Sequence, residues 1–248
     1  LNNHMINALA GVNMQETKSD SDNATYLGFP SGDLSSPEYA KEMYNKTDFS
    51  ESTRRLLGFI FSANYSFKDI YLADISLRID GSSAFGADKR FAPFWSLGLG
   101  VNLHKYKFFQ DLGFIDQLKI RGSYGQTGKA NFPAYAARTM YLISTDNWYK
   151  TGISTKLQAL GNKNLTWETT NSLDVGGEVT LFKGLLYVKG SYYNKRTIDL
   201  INDVTVPTST GFTSYRDNIG EISNKGYEFD LRVSAFSRND LSVVFNAN

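Results

Sequence analysis

The chain has no cysteine, and its two histidines, His4 and His104, stand a hundred residues apart. Without cysteine there is no disulfide and no thiolate metal site. Two distant histidines, with no HExxH or GxSxG pattern, give catalysis and metal binding no framework, so neither an enzyme nor a cofactor is expected. An excess of one charge is also missing. With 26 basic against 25 acidic residues the formal charge is +1, which argues against a basic face for nucleic acid and against an acidic tail. No run approaches the roughly 18 apolar residues of a membrane helix. That excludes helical spans but not a barrel, whose strands are polar at every second position. The opening LNNHMINALAG lacks the basic and apolar regions of a signal peptide. A cytoplasmic protein and an internal piece of a longer one both fit.

What is abundant is aromatic: 14% of the chain, with Tyr 15, Phe 17 and Gly 21 scattered through alternating segments. This is a β composition. In TRRLLGFIFSANYSF, Leu57, Phe59, Phe61, Ala63, Tyr65 and Phe67 alternate with Arg54, Gly58, Ser62, Asn64 and Ser66. From Tyr71 to Asp80 the apolar set Tyr71, Ala73, Ile75, Leu77, Ile79 faces away from Leu72, Asp74, Ser76, Arg78 and Asp80. The same period of two runs through PFWSLGLGVNLHK, LKIRGSYGQTG, WETTNSLDVGGEVTLF, LLYVKGSYYNKRT, GYEFDLRVSAF and LSVVFNAN. With a weaker strand around residues 4 to 18, about nine strands result, most of roughly 11 to 15 residues. Soluble strands usually run to about 5 or 6 residues, whereas tilted membrane strands need about 9 to 11.

The joins alternate in length. Those at 68 to 69, 105 to 116, 183 to 184 and 237 to 240 read as short; those at 19 to 52, 82 to 91, 128 to 166 and 199 to 220 read as long. Antiparallel hairpins put successive joins at opposite ends, so the long loops share one end, as in outer-membrane barrels. Alternation alone does not say which face is wet, and a soluble barrel or sandwich with its apolar side inward has the same pattern. One competing motif fails on chemistry. Gly81 and Gly86 have phosphate-loop spacing, but Ala87 and Asp88 stand where Lys and Ser/Thr are needed, and an acid there repels phosphate.

Four blocks, RIDGSSAFGADKRFAPFWSLGLGVNL, LKIRGSYGQTGKANFP, GNKNLTWETTNSLDVGGEVTLFKGLLYVKGSYYNKRTIDLI and NIGEISNKGYEFDLRV, resemble the barrel of SusC-like (SusC/RagA) TonB-dependent outer-membrane transporters of Bacteroidetes. The resemblance implies an all-β fold, an antiparallel transmembrane β-barrel of which residues 1–248 form about nine of 22 strands, with the plug, the TonB box and the remaining strands elsewhere. It implies uptake of oligosaccharides or peptides, with a SusD-like surface lipoprotein and the TonB complex as partners and outer-membrane lipid as surroundings. A structural or adhesive outer-membrane barrel and a soluble β-rich carbohydrate-binding domain remain as alternatives.

Within that frame Phe61, Ile75, Trp95, Leu99, Trp167 and Val179 are expected to face lipid or its interface, the two tryptophans because they fall near strand ends. Asp80, Asp88, Lys89 and Arg90 are expected to make polar contacts at the external rim, with Gly81 and Gly86 supplying backbone freedom for the reversal. The long join from 128 to 166 carries Tyr135, Arg138, Tyr141, Trp148 and Tyr149. Aromatics there are candidates for stacking on a sugar or packing against a lid protein.

Overall fold

A computed structural model describes residues 3–44, 48–86, 89–130, 132–150, 152–238 and 241–248, with the backbone alone at 48, 144–149, 235–238, 241 and 242. Its main element is one antiparallel meander of nine strands. In chain order the elements are β1 (His4–Asn23), the short pair β2 (Tyr26–Leu27) and β3 (Glu42–Met43), β4 (Asp48–Phe67), β5 (Tyr71–Ser82), β6 (Phe91–Asn102) and the single-turn α1 (Lys107–Gln110). There follow β7 (Ile115–Lys129), β8 (Met140–Tyr149), β9 (Gly152–Ala159), β10 (Glu168–Leu181), β11 (Leu186–Thr205), β12 (Ser214–Arg238) and β13 (Leu241–Ala247). The sheet order is β1-β4-β5-β6-β7-β10-β11-β12-β13. Strands β8 and β9 form a separate hairpin inside the 128 to 166 join, where alternation is too weak to announce it.

Register turns nine alternating patterns into two faces. Val12 lies opposite Phe59, Phe61 opposite Leu77, Ile75 opposite Leu97, and Leu97 opposite Tyr124. The row continues through Leu173, Val175, Tyr192, Tyr227 and Phe229 on the later strands. A slip of one residue anywhere would put a charged row among these side chains, so the pattern itself fixes the pairing. The apolar face is uncovered: Ile6 is 70% exposed, Leu99 58% and Phe229 66%. Behind it run Ser76, Arg78, Arg121, Asp174, Lys189 and Asp230. On β1 the apolar row spans His4 to Met14, about 33 Å of strand at about 3.3 Å per residue, or about 25 Å high at a tilt of about 40°.

The turns obey local chemistry. Lys68 and Asp69, both at φ 54, make the left-handed two-residue reversal that matches strand twist, and Phe182, Lys183 and Gly184 repeat the device at the same end. At the other end β11 and β12 stay paired to Thr205 and Ser214, so the join read at 199 to 220 contracts to 206–213.

Candidate functional site

The only buried hydrophobic cluster among the described residues sits at the long-loop end. Ala84 and Phe85 from the loop before β6, Phe94 of β6, Ala130, Phe132 and Ala137 after β7, and Leu165 and Trp167 before β10 pack together. Phe85 is 1% exposed and Leu165 0%. The Phe85 ring centroid lies 4.8 Å from both Phe132 and Trp167, and Phe94 meets Trp167 edge-on at 5.6 Å. Trp167 is therefore no lipid-interface residue: it is buried, and its Nε1 donates to the Arg90 carbonyl at 3.2 Å. It precedes the first residue of β10, so strand alternation does not set its direction. The loops before β6 and after β7 cover it instead.

Two glycines are corrected with it. Neither Gly81 nor Gly86 is among the positive-φ residues. A Cβ on Gly81 would lie 2.4 Å from the Phe91 ring, and one on Gly86 would lie 2.6 Å from the Lys163 carbonyl. They are small because neighbours come close, not because the chain needs a left-handed turn. The AFG stretch brings Phe85 into the cluster as well as polar groups to the rim.

Asparagines fasten this cluster to the β11–β12 hairpin. Asn162 Nδ2 donates to the Arg216 carbonyl at 3.0 Å and to Asp217 Oδ1 at 2.9 Å. Asn218 accepts from the Thr166 amide at 2.9 Å and donates to the carbonyls of Thr166 and Asp199 at 3.0 and 2.7 Å. Glu168 accepts the Ile201 amide at 3.0 Å where β11 is irregular. On the other flank, Arg54 donates to the Ala130 carbonyl, and the Tyr135 hydroxyl accepts the Thr53 amide at 3.2 Å. Backbone groups that a loop leaves unpaired are thus satisfied by side chains from distant strands.

Below this roof, on the polar face, lies a cavity of about 500 Å³ lined by residues including Arg54, Ser76, Arg78, Asp80, Phe94 and Trp167. Arg78 Nε is 2.6 Å from both carboxylate oxygens of Asp80.

The other expected residues are dispersed. Phe61, Ile75, Trp95 and Leu99 are exposed on the apolar face, and Val179 on the same row is half-buried. Lys89 is exposed; Arg90 is half-buried, its carbonyl also accepting the Ser82 amide at 3.2 Å. Asp88 lies outside the described residues. Arg138 is exposed, and Tyr141 is 67% exposed on β8 beside Leu142 and Ile143. Trp148 and Tyr149 pair through their backbones with Ile153 and Gly152, and their side chains lie outside the description. Sequence reasoning missed Phe85, Leu165, Asn162 and Asn218, and it put Arg54 on the polar face without a role in the site. One signal was available: FAPFW, apolar on both parities, marks a strand end covered on both faces.

Comparison with known proteins places this arrangement. The family model described as TonB dependent receptor-like, beta-barrel matches residues 5–248. The TonB-dependent receptor P26 of Formosa agariphila is 34% identical over 245 residues, covering 94% of this chain and 24% of that protein. The TonB-dependent receptor SusC of Bacteroides thetaiotaomicron is 30% identical over 199 residues, covering 78% of this chain and 20% of SusC. The structure of the RagAB peptide importer in its closed-closed state superposes with a TM-score of 0.84 at 26% identity, over 98% of this chain and 27% of that one. The chain spans about a quarter of the length of the relatives it matches.

Proposed function

The chain belongs to the TonB dependent receptor-like, beta-barrel family, and from that premise we propose that it walls one side of an outer-membrane importer. The observation that carries the reading is the pairing of two continuous faces. An exposed apolar band about 25 Å high suits the hydrocarbon of an outer membrane, and the charged face behind it suits a wet or protein-filled lumen. The outer face turns polar past the band, where Glu16 meets Arg55 at 2.6 Å and Arg196 meets Glu221 at 2.7 Å. Both pairs lie toward the long loops, the end that this reading takes as external by its loop lengths, with the tight turns in the periplasm.

In this reading the loop cluster is the rim of the mouth, and a SusD-like surface lipoprotein closes over it. The β8–β9 hairpin stands on that rim with Tyr141, Ile143, Ile153 and Leu157 exposed, and Trp148 and Tyr149 lie at its tip. It contacts the lid or the captured ligand, because large aromatic side chains dominate such contacts. Lys89 and Arg90 are rim groups, and Asp80 stands below them in the cavity that the rim covers. The cargo is an oligosaccharide or a peptide, and TonB supplies the energy through parts of the barrel protein other than these strands.

The test is uptake by cells carrying the complete protein. Native nutrient should accumulate only when the TonB system is intact, and the W148A/Y149A double variant should lose lipoprotein association or uptake while the extracted barrel keeps its heat-resistant migration. TonB-independent accumulation would sink the transport reading. Wild-type uptake and lipoprotein retention in the double variant would remove only the hairpin's assignment.

A further inference from the structure

The cavity beneath the rim carries an imbalance of charge that the rest of the polar face does not. Its lining includes three cationic side chains, Arg54, Arg78 and Lys129, against one carboxylate, Asp80, with Glu168 outside the lining and opposite Lys129 in the β7–β10 pairing. Deeper on the same face the charges are matched: Arg121 faces Asp174 at 3.8 Å, and Lys189 holds Asp230 at 3.1 Å. The whole chain is close to neutral, at +1, so the excess is local.

The donors are also incompletely used. Arg54 gives one Nη group to the Ala130 carbonyl, while its Nε is buried without a partner among the described residues. Arg78 spends its Nε on Asp80, and its Nη groups make no hydrogen bond among those residues. The Arg78–Asp80 pair lies over Gly58, where a Cβ would come 2.7 Å from Asp80 Oδ1 and 3.4 Å from Arg78 Nη2. Arg54 is only partly buried and Arg78 is exposed, and a guanidinium's planar fork fits a carboxylate with two parallel hydrogen bonds. The site already holds one carboxylate, that of Asp80, though through Arg78 Nε alone, which leaves the fork of Nη groups for another. Phe94 and Trp167 in the roof exclude water from one side, which strengthens any ionic contact made below them.

We infer that this cavity is a subsite for a carboxylate on the transported ligand, so that the cargo is an acidic oligosaccharide or an acidic peptide rather than a neutral one. Arg78 and Lys129 supply the attraction, and Arg54 both receives the carboxylate and ties it to the rim through Ala130. The assignment rests on the importer reading above.

The test uses the complete barrel purified in detergent and two probe pairs: trigalacturonate against its methyl ester, and tetra-aspartate against tetra-asparagine. Titration calorimetry at low salt should show one acid binding at least about tenfold more tightly than its neutral counterpart, and the pair that does so tells a sugar cargo from a peptide cargo. Added salt should shrink the ratio, and R78Q and K129Q should each reduce it. Because Arg54 also holds the loop, R54Q is read only if the barrel keeps its heat-resistant migration. Equal binding of acid and neutral probes, no binding of either acid, or a ratio that survives R78Q and K129Q together would overturn the assignment. TonB-dependent uptake without acid preference would leave the importer standing, whereas acid preference without TonB-dependent uptake would sink the importer alone.

Discussion

Phe61 and Ser62 are consecutive residues on β4, yet the pleat sends them to opposite faces. Phe61 opposes Leu77 in the apolar band, and Ser62 opposes Ser76 on the polar face. Arginine at Phe61 should cost about 2 to 4 kcal/mol if its depth is near the bilayer midplane, and arginine at Ser62 much less. Unfolding of the two variants from lipid vesicles by denaturant checks this, and equal costs would contradict the membrane-facing assignment of the band. Residues of this kind are legible in the sequence, because a period of two says where each side chain must go. Phe85 and Trp167 are not. They meet only after loops far apart in sequence have come together, and nothing local to SSAFG or NLTW encodes the other. The same non-local cause turns Trp167 from an expected belt residue into a buried one.

At the scale of elements, the sheet strands and tight turns can be read from alternation, but the upper reach of β11 and β12 cannot. Past Tyr192 and Tyr227 the outward row becomes Asn194, Arg196, Lys225 and Glu221, so alternation vanishes where both faces are wet. Backbone pairing continues regardless, and the charges help to hold it. Arg196 grips Glu221 with two hydrogen bonds of 2.7 and 2.9 Å. Those bonds, then the charge of Arg196, hold the Glu221 carboxyl below its usual range. A depressed carboxylate stabilises the folded hairpin above its unfolded pKa, about 4.3 for Glu, and that contribution fades as pH falls through the lower folded value. Amide-exchange protection of residues 196–221, corrected for intrinsic rate, should be flat from about pH 7 to about pH 5 and drop below about pH 4, and E221Q should flatten the change. As an exposed pair it is a modest contributor, so the strand pairing below Tyr192 should be insensitive.

For the molecule as a whole, the two ends of the meander matter most. In the nine-stranded sheet β1 pairs only with β4 and β13 only with β12, so each presents one side whose backbone groups have no strand partner among the described residues. In hydrocarbon every such group costs several kcal/mol, and a row of them outweighs what one exposed apolar face gains from lipid. The nine strands expressed alone should therefore aggregate or pair with other chains. Addition of the remaining strands of the barrel should restore a discrete, heat-resistant species on unboiled gels. A monodisperse, protease-resistant sheet in lipid without them would show that these edges are managed within the chain.

The asparagine fastening of segment 160–167 to β12 bears on how such loops could be exchanged between relatives. Among the described residues, strands β8 and β9 pair only with each other. Segment 160–167 and residues 214–218 each complete the other's hydrogen bonds through Asn162 and Asn218. A graft that transplants 140–159 is a self-contained cassette. One that transplants 160–167 from a relative must bring that relative's 214–218 with it, or carry in a half-lock with no keeper.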